Sequence, residues 1–182
     1  KTFNVGLIGM GTVGAGVAKI LLEKNSPLHE KLDCVPVLKG IADSNPEVKS
    51  RLNLSSDVLF THDAKALLNN PDIQVIVELI GGVHPAKEII LEALEKGKDV
   101  VTANKMLLAL HGTELFSQAR RKGKSISFEA SVGGGIPIIA ALRDGFIANR
   151  IQSILGIVNG TTNYILTKMT KENVKYGDAL AE

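Results

Sequence analysis

The chain of 182 residues has one cysteine, no tryptophan and an aromatic content of 4%. A single thiol, Cys34, excludes an internal disulfide and any cysteine cage for a metal, which fits a reducing compartment. Few aromatic rings leave few platforms on which bases stack. The net charge is +2, from Lys+Arg 21 against Asp+Glu 19 spread along the chain, so there is no basic cluster of the kind that tracks a phosphate backbone. Nucleic acid is not an expected partner. No apolar run approaches the ~18 residues that a membrane span needs, so no membrane contact is expected. The opening KTFNVGLIG enters a strand almost at once, which leaves no room for a signal peptide and points to the cytoplasm. The closing GDALAE reads as the start of a helix with no C-cap and no further strand, which predicts a fragment.

What is present suits a globular chain. Hydrophobic residues make up 45% and charged residues 22%, enough for the core of one domain plus part of a second. Asn4 to Gly9 is a short apolar run that reads as a buried parallel strand. From Thr12 to Asn25, apolar residues fall at Val13, Val17, Ile20 and Leu21, at helical spacing. Val35 to Ala42, Asp72 to Ile80, Lys98 to Thr102 and Ser125 to Ser131 read as further strands. Helices are expected at Ala64 to Leu68, from Pro85 to Gly97, and from Gly112 to Lys122. Strand and helix alternate, so an α/β fold with a doubly wound parallel sheet of the Rossmann type is predicted. After Pro137 the rhythm changes: IPIIAALRDGF looks helical, IQSILGIV strand-like and TTNYILTKMT helical again. The expected division is a dinucleotide-binding domain over 1–131 and the beginning of an α+β domain over 132–182.

Two glycine runs follow apolar segments. Gly9, Gly11 and Gly14 spell G-x-G-x-x-G between the first strand and the first helix. The first glycine permits a tight turn and the second lets backbone approach a pyrophosphate. The third lets helix and strand pack closely, while the helix N-terminus offers N–H groups and a positive dipole end. Gly9, Gly11, Thr12, Val13 and Gly14 are therefore candidate cofactor contacts. The acid that meets a ribose is expected ~20 residues on. The candidate is Asp43, which would favour NAD, while Lys49 and Arg51 would meet the extra phosphate of NADP. Both cofactors stay open.

The second run, GGGIPI, invites a different reading, since one dinucleotide has one pyrophosphate. In an extended segment alternate carbonyls point the same way, so those of Val132, Gly134 and Ile136 line one side, with the Glu129 carboxylate at the strand end. Hard oxygens of this kind suit an alkali or alkaline-earth ion rather than zinc. A glycine hinge between domains, with Glu129 as a cap, is the alternative. In GIVNGTTNYIL, Asn-Gly makes a turn and Thr161 or Thr162 is placed to cap a helix, with Asn163 and Tyr164 assigned to packing.

VGLIGMGTVGAGV, VIVELIGG, VVTANKMLLAL, FEASVGGGIPII and GIVNGTTNYILTKM together resemble homoserine dehydrogenase over nearly the whole chain, and the last three are specific in combination. The resemblance implies interconversion of L-homoserine and L-aspartate 4-semialdehyde with NAD or NADP, on the route to threonine, methionine and isoleucine. It implies that Thr102 and Lys105 lie near the nicotinamide half, with Gly81 one strand earlier on the same edge. Lys105 is the one candidate for a catalytic role. It implies a sodium site at Glu129, Val132, Gly134 and Ile136, a substrate turn at Asn159, Gly160 and Thr161, and a homodimer for the full-length protein. The family's catalytic lysine, its aspartate partner and a substrate-binding glutamate lie farther along than these 182 residues, so Asp178 and Glu182 do not inherit those roles. The 182 residues alone are expected to be inactive. A stand-alone dinucleotide-binding or regulatory module, or another dehydrogenase acting on an amino-acid-derived aldehyde, is the alternative function.

Overall fold

The computed structural model describes residues 1–23, 31–48, 54–157 and 159–182, so Lys49 and Arg51 lie outside the described residues. The chain forms two units, Lys1–Ile139 and Ala140–Glu182. In the first unit the strands are β1 (Thr2–Ile8), β2 (Val35–Ala42), β3 (Leu59–Thr61), β4 (Val75–Glu78), β5 (Asp99–Thr102) and β6 (Ile126–Ser127). Their order is β3-β2-β1-β4-β5-β6 and every pairing is parallel. The helices are α1 (Thr12–Leu22), α2 (Ala64–Leu68), α3 (Ala86–Glu95) and α4 (Lys105–Lys122). The chain winds outward from β1 to β3, then returns to lay β4 on the other side of β1. The strand order thus reverses between β1 and β4, the place where open sheets of this kind bind ligands. This is the doubly wound Rossmann-type sheet that the alternation predicts.

Why the strands read as unbroken apolar runs is clear from their two faces. Val5 and Leu7 of β1, Leu38 and Ile41 of β2 and Val77 of β4 pack with Ala18 of α1. Ile8, Ile76 and Val100 face the opposite layer, with Leu67 and Leu68 of α2, Ile90 and Leu94 of α3, and Leu107 and Leu115 of α4. A strand buried on both faces has no polar alternation to show. Each fully buried Leu or Ile contributes about 1.5–3 kcal/mol relative to exposure.

Several elements differ from the sequence expectation. β3 is new, a three-residue edge strand too short to carry a periodic signal. α4 begins at Lys105 rather than Gly112, because the Asn104 side chain accepts the Leu107 N–H at 3.1 Å and caps KMLLAL, a run of good helix formers. The strand expected over 125–131 is only Ile126–Ser127. Phe128, at φ −140 and ψ 22, leaves the extended region and Glu129–Ser131 form a 3-10 turn. Among the described residues no helix is long and apolar enough to cross a membrane.

Lys98, directly before β5, is 4% exposed and gives its Nζ protons to the carbonyls of Asn70 and Ile73 at 2.6 and 2.7 Å. Burial, and secondarily Lys96, pushes its pKa below the ordinary 10.5. The folded chain therefore releases this proton at lower pH than the unfolded chain does. The cost of the buried charge is fully present below the folded value and is relieved as pH rises toward 10.5. Denaturant unfolding of wild type and Lys98→Met is expected to show a wild-type advantage that is larger at alkaline pH than at neutral pH. An equal difference at both would remove the linkage.

The second unit holds a π-helical turn at Ala141–Gly145 and two helices, α5 (Gly160–Lys171) and α6 (Tyr176–Ala181). They pack together and bury Ile165 and Ala179. Within this unit Tyr164 donates to Glu182 at 2.7 Å, and Lys168 pairs with the same carboxylate. Hydrogen bonding to Glu182 first, then to Tyr164, raises the Lys168 pKa. The strand expected in IQSILGIV is not formed over 151–157, and Val158 lies outside the described residues. A strand needs a neighbour for its backbone groups, and none is present among the described residues of this unit.

Candidate functional site

The turn from β1 into α1 is built around glycine. Gly9 has φ +95, and a Cβ on it would stand 2.7 Å from the Leu79 carbonyl carbon and oxygen. A Cβ on Gly14 would stand 2.0 Å from the Gly9 carbonyl oxygen, so α1 packs directly on the turn it leaves. Gly11 faces open space, with nothing within 4 Å of a Cβ. It is the N-cap of α1 and provides no side-chain cap, and the first turn carries no acidic residue. Ala15 N–H bonds the Gly11 carbonyl, whereas the exposed Gly11, Thr12 and Val13 have no partner of their own for their N–H groups among the described residues. Donors without a cap at a dipole's positive end suit an anion.

The loop is strapped from the side. Asp43, just after β2, accepts the Met10 N–H at 2.6 Å through Oδ2 and the Asn45 N–H at 2.7 Å through Oδ1. The acid expected to meet a ribose thus also anchors the glycine turn.

Beside α1, Val13, Leu79, Ile80, Gly81, Ala103 and Asn104 line an open cavity of about 170 Å³ at the carboxyl ends of β1, β4 and β5. Gly81 and Gly82 have φ +80 and +71, which lets the chain turn tightly after β4 and brings backbone to the surface. Thr102 is fully buried, and its hydroxyl donates to Glu78 Oε2 at 2.7 Å, while the two residues after it, Ala103 and Asn104, line the cavity. Lys105 is exposed as the first residue of α4. The structure therefore gathers Val13 and Gly81 at one cavity, with the glycine turn before α1 and Lys105 after Asn104 on the same strand ends.

The glycine run at 133–135 also differs from expectation. Gly133 and Gly134 have φ +72 and +62, so the segment is a turn and not extended. The Ile136 carbonyl accepts the Ile138 N–H at 2.8 Å, and the Ile136 N–H bonds the Gly133 carbonyl at 3.2 Å. Glu129 accepts the Ile139 N–H at 2.9 Å. The alternating carbonyl row on which the cation reading rests is absent, because glycine adopts the left-handed region at almost no cost.

In the second unit Asn159, rather than either threonine, caps α5: its Oδ1 accepts the Thr162 N–H at 2.8 Å. Gly160 and Thr161 are exposed in the first turn. Ile157, Asn159, Thr162, Asn163 and Leu166 line a shallow cavity of about 270 Å³, so Asn163 faces solvent space and not a core.

Against this geometry the comparisons are specific. A model described as the homoserine dehydrogenase NAD binding domain matches residues 9–129, and one described as homoserine dehydrogenase matches residues 137–182. The chain belongs to the homoserine dehydrogenase family. The homoserine dehydrogenase of Bacillus subtilis strain 168 is 44% identical over 182 residues, 100% of this chain and 42% of that protein. That of Neisseria gonorrhoeae is 43% identical and is covered over 41% of its length. The crystal structure of a homoserine dehydrogenase from Thiobacillus denitrificans superposes with a TM-score of 0.88 at 40% identity, covering 100% of this chain and 42% of that one. A hyperthermophilic archaeal homoserine dehydrogenase in complex with NADPH gives 0.82 at 28% identity, covering 100% and 60%. The chain therefore spans less than half the length of the curated relatives it matches.

For a member of this family, three features escape the motif reading. They are Glu78, the Asn104 side chain and the Asp43 strap. An acid ending the apolar run VIVE was the available signal for Glu78, since a central parallel strand has no solvated face to put it on.

Proposed function

We propose that this chain is the dinucleotide-binding part of a homoserine dehydrogenase, an NAD- or NADP-dependent oxidoreductase interconverting L-homoserine and L-aspartate 4-semialdehyde. The uncapped N-terminus of α1, opening beside the cavity at the reversal of strand order, carries this reading. Gly9, Gly11, Thr12, Val13 and Gly14 hold the pyrophosphate, Gly81 lets the ring-side half lie close to backbone, and Thr102 holds the loop that presents Lys105. When bound, the dinucleotide accepts or donates the hydride. Lys105 stands at the helix start where a cation meets the substrate's carboxylate or reacting oxygen. Residues 1–131 form the cofactor domain and 132–182 begin the catalytic one, with Asn159, Gly160 and Thr161 contacting the substrate. The working protein is a cytoplasmic homodimer in threonine, methionine and isoleucine biosynthesis, and the 182 residues alone bind cofactor without turnover.

To hold the sodium ion of the resemblance, Glu129 and the carbonyls of Val132, Gly134 and Ile136 would have to gather around a turn rather than along an extended row, and no step is routed through it. The function is tested by following reduced-nicotinamide absorbance with the full-length protein and homoserine. Lys105→Ala is expected to lower its kcat/KM by about a hundredfold or more. Turnover of another amino acid but not of homoserine overturns the substrate, and an unchanged rate overturns the role of Lys105.

A further inference from the structure

Glu78 ends β4 at 0% exposure. A charge removed from water is retained only when its lone pairs are met. Its Oε1 accepts the N–H of Ile80 at 2.8 Å and of Gly81 at 3.3 Å, and its Oε2 accepts the Thr102 hydroxyl at 2.7 Å. Every one of these partners is a donor, which is the arrangement an ionised carboxylate requires. Among the described residues no Lys, Arg or His forms a salt bridge with it.

The network then closes on itself. Thr102 Oγ1 accepts the Asn104 N–H at 3.0 Å, and Asn104 Nδ2 donates to the Gly82 carbonyl at 2.6 Å. The loop after β4 and the loop after β5 are thus tied to each other twice, through Glu78 and through Asn104. These two loops supply five of the six residues lining the cavity beside α1: Leu79, Ile80, Gly81, Ala103 and Asn104. A well-packed apolar side chain would serve stability as well as this buried charge does. The arrangement makes sense as a device for the site.

We propose that Glu78 is a positioning residue for the ring-side cavity. It fixes the two lining loops, and its unpaired negative charge favours an oxidised, cationic nicotinamide over the neutral reduced ring. This rests on the dinucleotide reading above. Affinities of the 182-residue chain for the oxidised and reduced dinucleotide are measured by calorimetry, with circular dichroism as the check on folding. Glu78→Gln keeps the size and most hydrogen bonds, so it is expected to raise the ratio of oxidised to reduced Kd by about tenfold. Thr102→Val keeps the charge but cuts the bridge between loops, so both affinities should weaken by the same factor. A wild-type ratio in folded Glu78→Gln overturns the inference alone. If Glu78→Gln does not fold, unchanged binding by Thr102→Val overturns it, and parallel weakening supports it. Failure of the wild-type chain to bind either form overturns the dinucleotide reading, and this inference with it.

Discussion

Gly14→Ala is expected to cost about 3 kcal/mol or more of unfolding free energy, and so to lower the melting temperature by roughly 10 °C. The added methyl would stand 2.0 Å from the Gly9 carbonyl oxygen and 2.9 Å from its carbon. Backbone cannot yield as a side-chain tip can, so α1 must move away from β1. That movement breaks the packing of Ala18 against Val5, Leu7 and Val77, which forms the core on this side of the sheet. A domain's whole stability is only about 5–15 kcal/mol, so the loss is a large share of it. Gly16→Ala is the control. It lies in the same helix, nothing stands within 4 Å of its Cβ, and alanine is the better helix former. Melting curves of the two variants should move in opposite directions. A Gly14→Ala chain as stable as wild type would mean that the close approach of helix to turn is not maintained in solution.

What could be read from the sequence, and what could not, divides along physical lines. β1, β2 and β5 were legible as short apolar runs, and α1 by its helical spacing directly after the glycine turn. The position of Gly14 was legible as well: a third glycine at that spacing means close packing, and the 2.0 Å separation is that packing. β3 was not, since three residues paired to β2 owe their conformation to their neighbour rather than to their own pattern. The start of α4 was missed because it depends on one capping side chain, Asn104, whose Oδ1 holds the Leu107 N–H well ahead of Gly112. At GGG, the error ran the other way. Three glycines after an apolar run were taken to continue it, whereas glycine's freedom at positive φ turns the chain at Gly133 and Gly134.

The buried polar network was the least legible part of the site. Sequence patterns treat acids as solvent-facing, and Glu78 sits in a strand whose both faces are covered. Its three donors come from two places: Ile80 and Gly81 just beyond it, and Thr102 on the adjacent strand. Only the parallel register that sets Glu78 beside Thr102 brings the last of these within reach. Contact between β4 and β5 is a tertiary fact, and no spacing along one strand encodes it. The family resemblance marked Thr102 as a cofactor residue, and its hydroxyl binds the carboxylate behind the loop.

Gly11→Asp is expected to leave the fold intact and to weaken dinucleotide binding by about a hundredfold. Both halves follow from the place of Gly11. Its φ of −64 and ψ of −164 suit any L residue, a Cβ there meets nothing within 4 Å, and aspartate is a favoured N-cap. Stability should therefore stay within about 0.5 kcal/mol of wild type, or rise slightly through the new cap. The same features that make the substitution harmless to folding make it harmful to an anion. A carboxylate at the N-cap accepts the N–H groups of the first turn, which are the donors a pyrophosphate needs, and places a negative charge on its approach. Gly11→Ala separates the two effects, because it crowds the approach without adding charge or taking the donors. Calorimetry on the three chains at two ionic strengths decides between them. The aspartate penalty should shrink with added salt, while the alanine penalty should not. If Gly11→Asp binds as tightly as wild type, the pyrophosphate does not sit at this helix end, and the glycine turn serves only to pack α1 on β1.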